Sequence, residues 1–388
     1  MKKICYKNAV FILIAAFCFY NNISFSQDSS WIKKLKYHYL SNHNDSVRRN
    51  NFFPVPVLAT APETGLEYGF AAIYSFYTNK EDKDTRVSTL DFLGTHTTKN
   101  QTALKLVSNI WTKQNKYHYY SEFRYRYYPY DFYGIGANTL AADKDEIYEK
   151  RARVVIGADK KIVKNYYIGL KVGFEKYAYR DWAAGGGIFT TGNYYDKYGG
   201  KLAYIGLQQT YDSRNNVTYT TKGAYAMLSF NDVPDFFGGD NYNGAFINFD
   251  GRYFIPVNKK LILGINGIYQ GISGKEIPFY LLPELGSSNI MRGYYQGKFR
   301  DKNMAAAQAE LRYRLVPRFA VVAFGGYGTV WGQQDISADM LKPDYGVGFR
   351  YFFDLNKGLT LRLDYGVGQK PSGEKRISGY YFSMSEAF

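Results

Sequence analysis

Cysteine is nearly absent from this chain: Cys5 and Cys18 are the only two, and both fall in the opening segment. That segment carries Lys2, Lys3 and Lys7, runs through the apolar stretch Ala9 to Tyr20, and reaches Ser24, Phe25 and Ser26 before Gln27. This is the layout of a secretory signal peptide cleaved after Ser26. The processed chain then has no thiol, which excludes disulfides and cysteine-based zinc or redox chemistry. Long hydrophobic runs are missing too. The signal run falls short of the roughly 20 residues that a membrane-crossing helix needs, no later run approaches that length, and the mean hydropathy is −0.38.

Histidine is equally sparse. His38, His43, His96 and His118 are scattered without metal-ligand spacing, so no metal and no cofactor is predicted. "GYYQGKF" has the wrong spacing before Lys298, and no Ser or Thr after it, for a phosphate loop. No Ser-His-Asp set can be nominated, and no catalytic residue is predicted.

Positive charge and aromatic rings are abundant. The formal charge is +15, or 15 − 3 = +12 once the three signal lysines are removed, and aromatics make up 19% of the chain with 40 Tyr and 28 Phe. Tyrosine and phenylalanine favour strands. In "EFRYRYYPY", Glu122, Arg124 and Arg126 fall on one face and Phe123, Tyr125 and Tyr127 on the other, a period of two. This separates bases from rings, where a nucleic-acid stacking groove would interleave them, so nucleic acid is not a predicted partner. The same alternation sets Ile168, Leu170, Val172 and Phe174 against Lys171 and Glu175, and Leu359, Leu361, Leu363 and Tyr365 against Thr360, Arg362 and Asp364.

About sixteen such segments run from 53–60 to 378–388, most of about ten residues, the length a tilted strand needs to cross a bilayer. Short connections such as "KQNK", "IVKN" and "LNK" trade places with long ones. The prediction is all-β: a transmembrane antiparallel barrel of about 16 strands with an apolar outside and a wet lumen. Residues 1–26 are read as signal peptide, 27–50 as a short periplasmic segment and 51–388 as the barrel. Trp31, Leu35 and Tyr39 form one face of a short helix or belong to a disordered leader. The parity of short and long connections places both mature ends in the periplasm of a Gram-negative bacterium.

The connection from about Ser273 to Lys302 contains "SSNIMRGYYQGKFRDKN". Together with "VPVLATAPETGLEYG", "YDSRNNVTYTTKGAY", "AELRYRL", "YGVGFRY", "LTLRLDYG" and the final phenylalanine, it resembles the barrel of the bacterial surface antigen family, the group of BamA, TamA and FhaC-type barrels. The resemblance implies that this loop, between strands 11 and 12, folds into the lumen. It implies too that Arg292, in the motif Met291-Arg292-Gly293-Tyr294, contacts acidic residues on the wall. Glu310 is the first such acid, facing inward with Arg312 and Arg314 if Leu311, Tyr313 and Leu315 face lipid. The family's second acid falls at Gly326, in "FGGYG", so the contact is either weaker here or completed elsewhere, for which Asp364 is the candidate.

Further expectations follow from the resemblance. Pro54 and Pro56 delete two donors from one side of the first strand. If that side faces the last strand, near Met384, the barrel closes through a weak lateral seam; otherwise both prolines belong to an extended lead-in. Phe388 is the expected assembly signal, with Glu386 beside it near the periplasmic rim. No room remains for the periplasmic POTRA domains of the family's assembly members. The implied function is insertion or transport of polypeptide or lipid at the outer membrane. A passive or gated diffusion pore is the alternative, and an outer-membrane lipid enzyme is less favoured. Implied partners are outer-membrane lipid and lipopolysaccharide, the barrel assembly machinery during biogenesis, and an unspecified periplasmic protein.

Overall fold

The computed structural model describes residues 50–388 apart from 62, 182–185, 239–240, 356–357, 372 and 384–385. The signal segment, the Trp31, Leu35 and Tyr39 stretch, and Met384 lie outside the described residues. The chain forms β1 (Asn51–Ala61), β2 (Gly65–Phe76), β3 (Ser88–Thr97), β4 (Thr102–Trp111), β5 (Tyr117–Phe132) and β6 (Asp145–Val163). It continues through β7 (Tyr166–Asp181), β8 (Lys201–Asp212), β9 (Gly223–Val233), β10 (Gly244–Pro256) and β11 (Leu261–Gly274). A long loop then carries the two short strands β12 (Glu284–Leu285) and β13 (Phe299–Arg300). The last five strands are β14 (Asn303–Val316), β15 (Phe319–Trp331), β16 (Lys342–Asp354), β17 (Leu359–Val367) and β18 (Ser378–Ser383).

Sixteen of these close into one antiparallel barrel in which β11 neighbours β14 and β18 neighbours β1. β12 and β13 pair with each other apart from the barrel, and Arg300 of β13 also bridges to Gly136. The rim that carries the turns 257–260 and 317–318 also carries the start of β1 and the end of β18; it is called the terminal rim below, and the other the loop rim.

The barrel is apolar outside and polar inside. Along β7, the exposed residues are Ile168, Leu170, Val172 and Phe174, with Leu170 60% exposed, while Glu175 and Tyr177 point inward and are buried. The same outward band holds Leu228 and Phe230, Leu311 and Tyr313, and Val347 and Phe349. A water-soluble sheet would bury these side chains; exposing them makes sense against hydrocarbon. Nothing but period-two alternation is needed to produce this, because each strand turns its odd and even positions to opposite faces.

One expected element is shorter than its pattern suggests. The last strand was expected to run from 378 to 388, yet β18 ends at Ser383. Glu386, Ala387 and Phe388 are buried. Phe388 packs on Phe254 with ring centroids 5.8 Å apart, and its main-chain oxygen accepts a hydrogen bond from Arg312 at 2.9 Å. Glu386, expected at the rim beside water, instead accepts from Arg350 Nε at 2.8 Å and from the Thr360 hydroxyl at 2.9 Å. The tail turns in because two buried arginines offer its polar groups partners that the lipid side lacks.

Candidate functional site

The loop between β11 and β14 descends into the lumen and presents Arg292 to the wall. A local brace shapes its stem. β12 pairs with β13 through Glu284 opposite Arg300 and Leu285 opposite Phe299, and Arg300 reaches Glu284 Oε1 at 3.1 Å. At the loop rim the stem rests on an aromatic cluster including Phe132, Phe189, Tyr179 and Phe279. Lys298 ties it to Glu374 at 3.3 Å.

The tip is fixed by backbone geometry. Gly293 has φ of +112°, and a Cβ there would stand 2.9 Å from the main-chain nitrogen of Gly368. On the facing strand, a Cβ on Gly366 would stand 2.6 Å from Arg292 main-chain atoms. Two glycines thus let the loop backbone lie directly against β17. Met291 is fully buried with φ of +56°. A β-branched residue would be a true outlier there, so the unbranched Cβ of methionine suits the turn.

Arg292 is completely buried. Its Nη2 lies 2.6 Å from Glu310 Oε1 on β14, and its Nη1 donates to Asp364 Oδ2 on β17 at 2.7 Å. Nη2 also donates to Gln308 at 3.3 Å, and the guanidinium centre sits 3.4 Å from the Phe324 ring centroid. The neighbouring main chain is held as well: Gly293 N–H donates to the Tyr381 hydroxyl on β18 at 2.8 Å, and the Tyr294 hydroxyl donates to the Pro343 carbonyl at 2.6 Å.

The contact extends outward in two arms. Glu310 also holds Arg312, whose guanidinium reaches the Phe388 main chain. Asp364 also holds Arg350, which continues to Glu386, and Arg362 stands 3.7 Å from Asp364. Asp344 on β16 is buried among them. Four arginines and four carboxylates therefore share one confined region, a balance that a low-dielectric site demands. Buried ion pairs of this kind add little net stability, but removing one partner is expensive, so they fix position.

Both acids singled out from the sequence, Glu310 and Asp364, meet Arg292. At Gly326 there is no room for a side chain: a Cβ would fall 2.3 Å from the Ala307 carbonyl oxygen. The Gln308 side chain, opposite Gly326, accepts from Arg292 and donates to the Asn289 carbonyl. Gln308 and Tyr381 had no signal in the linear pattern; Phe324 and Gly366 lie in the matched stretches "FGGYG" and "LTLRLDYG" without a role assigned to them; Arg362 shares the inward parity of Asp364, and Arg350 faces it across β16 and β17.

The seam between β1 and β18 is the second feature of the site. Pro54 and Pro56 lie within the β1–β2 ladder, opposite Ala72 and Phe70, and that ladder is unbroken from Asn51 to Ala61. A proline cannot donate, so both must occupy the positions that exchange no hydrogen bond with β2. Their ring nitrogens therefore face away from β2, and in the register set by Thr60 opposite Phe382 they stand level with Glu386 and Phe388, past the end of β18 at Ser383. Among the described residues, β18 pairs with β1 only where Thr60 stands opposite Phe382.

A closed sixteen-stranded barrel with an inward, arginine-tipped loop is the setting in which the comparisons with known proteins are informative. The Omp85 superfamily domain matches residues 66–388. This chain belongs to the Omp85 superfamily. The membership makes it a β-barrel of the Gram-negative outer membrane. No curated protein sequence matches it. Among solved structures it is similar to BamA from Haemophilus ducreyi lacking POTRA domains 1–3, at 16% identity and a TM-score of 0.57, over 87% of this chain and 70% of that one. It is similar to CdiB from Acinetobacter baumannii at 12% identity and a TM-score of 0.56, over 86% and 59% of the two chains. CdiB from Escherichia coli matches at 9% identity and a TM-score of 0.54, over 89% and 68%. At these identities the likeness establishes the fold.

Proposed function

We propose that this Omp85 barrel inserts or moves polypeptide, or the lipid around it, through the β1–β18 seam while the lumen loop keeps the barrel interior plugged and braced. The carrying observation is the seam itself: among the described residues its ladder is reduced to Thr60 opposite Phe382, and further along β1 two prolines present no donor on the side away from β2. In this reading the terminal rim and both mature ends face the periplasm. The long connections face outward, among lipopolysaccharide, and a separate periplasmic protein delivers the substrate.

The decisive experiment uses the doubly substituted variant Thr60→Cys with Phe382→Cys in liposomes, with the folding rate of a small, unfolded β-barrel precursor as readout. The protein is expected to accelerate insertion, the oxidised variant to lose the acceleration and reduction to restore it. Equal acceleration with the seam locked would reject the reading. A diffusion pore would differ in conductance: the intact protein is expected to be nearly closed in planar bilayers and to open on deletion of 287–300. A wide, steady pore before deletion favours the alternative.

A further inference from the structure

Away from Arg292, the wall formed by β4 to β7 carries a different charge pattern. Arg124 lies directly opposite Arg153, and two residues along, Arg126 lies opposite Arg151. Lys105 stands opposite Arg124 and extends the first row to three cations. Like charges placed directly across a sheet repel, so two successive rows of them are not explained by strand pairing.

Carboxylates neutralise these rows in part. Glu149 pairs with Arg126, Glu175 with Arg151, and Glu122 with Arg124 at 3.0 Å. Arg153 lies 3.4 Å from Glu175 and 3.7 Å from Glu122. Further out, Asp91 is engaged by Thr89 at 3.1 Å and Asp159 by His118 at 3.0 Å. The Nε of Arg124 has no hydrogen-bond acceptor, and the Nε of Arg153 has only the two long ion contacts with Glu175 and Glu122.

The four arginines line a lumen cavity of about 440 Å³, bordered on its other side by the loop from Tyr280 to Ser287 and by Gln296. Arg124, Arg126, Arg151, Arg153 and Lys171 face it, against Glu149, Glu175 and Glu284. Glu284 is already engaged by Arg300, so the cavity presents a surplus of positive charge. Arg124 and Arg153 remain 35% and 30% exposed, within reach of a ligand.

We propose that this cavity binds a phosphate-bearing anion, held by Arg124 and Arg153 with Arg126, Arg151 and Lys171 beside them. Guanidinium forks match phosphate oxygens in shape and charge. The second arginine row, about 7 Å along the strands, gives a phosphodiester or a second phosphate its own partner. The volume takes a free phosphate ester or the head group of a lipid. The assignment does not depend on how the seam works.

The test uses the mature protein in neutral detergent micelles. Equilibrium dialysis with radiolabelled glycerol 3-phosphate probes a free ester, and titration with phosphatidylglycerol, compared with uncharged diacylglycerol, probes a lipid head group. Saturable binding of at least one phosphate probe is expected. It should weaken at least tenfold in the double variant R124Q/R153Q and stay unchanged in Lys259→Gln, at an exposed turn residue. Binding of glycerol 3-phosphate marks the free ester as sufficient; binding of phosphatidylglycerol alone marks the lipid as the ligand. Barrel closure is checked by heat-modifiable gel migration. Should the double variant fail to close, Lys171→Met decides, with an expected threefold weakening. Absence of saturable binding of both probes, or unaltered affinity in the deciding variant, overturns the proposal.

Discussion

From β5 to β7 the strands pair along their whole length, from Tyr117 opposite Lys160 to Phe132 opposite Asp145, and from Ile147 opposite Asp181 to Val163 opposite Tyr166. From β17 to β1 the pairing shrinks. β17 and β18 run only from Arg362 opposite Ser383 to Val367 opposite Ser378, and the described part of β18 meets β1 at one position. The first side is ordered by main-chain hydrogen bonds. The second is ordered by side chains that reach it from inside: Arg292 on Asp364, Gly293 on Tyr381, and Arg350 on Glu386. A sheet held mainly by removable side-chain contacts can open without dismantling the rest of the barrel, since local opening follows local stability.

Breaking the internal brace should give the largest contrast between the two sides. Arg292→Ala leaves Glu310 and Asp364 short of their shared buried cation, a change expected to destabilise by about 3 kcal/mol. Hydrogen exchange should then lose protection in β17 and β18 and keep it in β5 to β7. Arg124→Gln removes a partly exposed pair on the well-zipped side and should cost less than about 1 kcal/mol, with no local loss. Equal responses to the two substitutions would show that the weak side does not depend on the loop.

The sequence carried the alternation, and with it the barrel, because every strand repeats the same local rule whatever its neighbours are. Arg292 and Glu310 were legible for a similar reason: motif and strand parity are both local. What escaped depends on contacts between residues far apart in the chain. The "SMSEAF" ending reads as a continuing strand, and residues on other strands, Arg350 and Thr360 for Glu386 and Arg312 and Phe254 for Phe388, draw it inward. Gly366 reads as an ordinary strand glycine until the loop backbone is laid against it. Gln308 reads as one polar residue among alternating ones, although it fills the space opposite Gly326.

Zipping the weak side tests the same contrast from the other direction. Pro54→Val with Pro56→Val returns two N–H donors to the free edge of β1, level with Glu386 and Phe388. Each new hydrogen bond is worth about 1 kcal/mol, so a chain end that pairs with β1 instead of turning inward should gain about 1–2 kcal/mol, seen as exchange protection at Glu386 to Phe388, while β5 to β7 stay as they are. Unchanged exchange at Glu386 to Phe388 would mean that something other than the missing donors keeps the ladder short.

The smallest expected effect comes from Glu63, in the turn that joins β1 to β2 at the loop rim. Burial raises its carboxyl pKa from the ordinary 4.5 to about 7, and the nearby charges of Glu284 and Glu67 push the same way against Lys99. The folded protein therefore holds this proton more tightly than the unfolded chain does. As pH rises above 4.5 the unfolded chain releases its proton first, so stability falls with pH until about 7 and is level beyond it. The residue is only half-buried at the rim, which limits the effect to about 1 kcal/mol. Because the group sits beside the weak seam, the fall should be seen in exchange from β1 and β2 and not from β5 to β7. Glu63→Gln should remove the slope and raise protection of β1 at neutral pH. A slope that survives the substitution would assign the titration to another group.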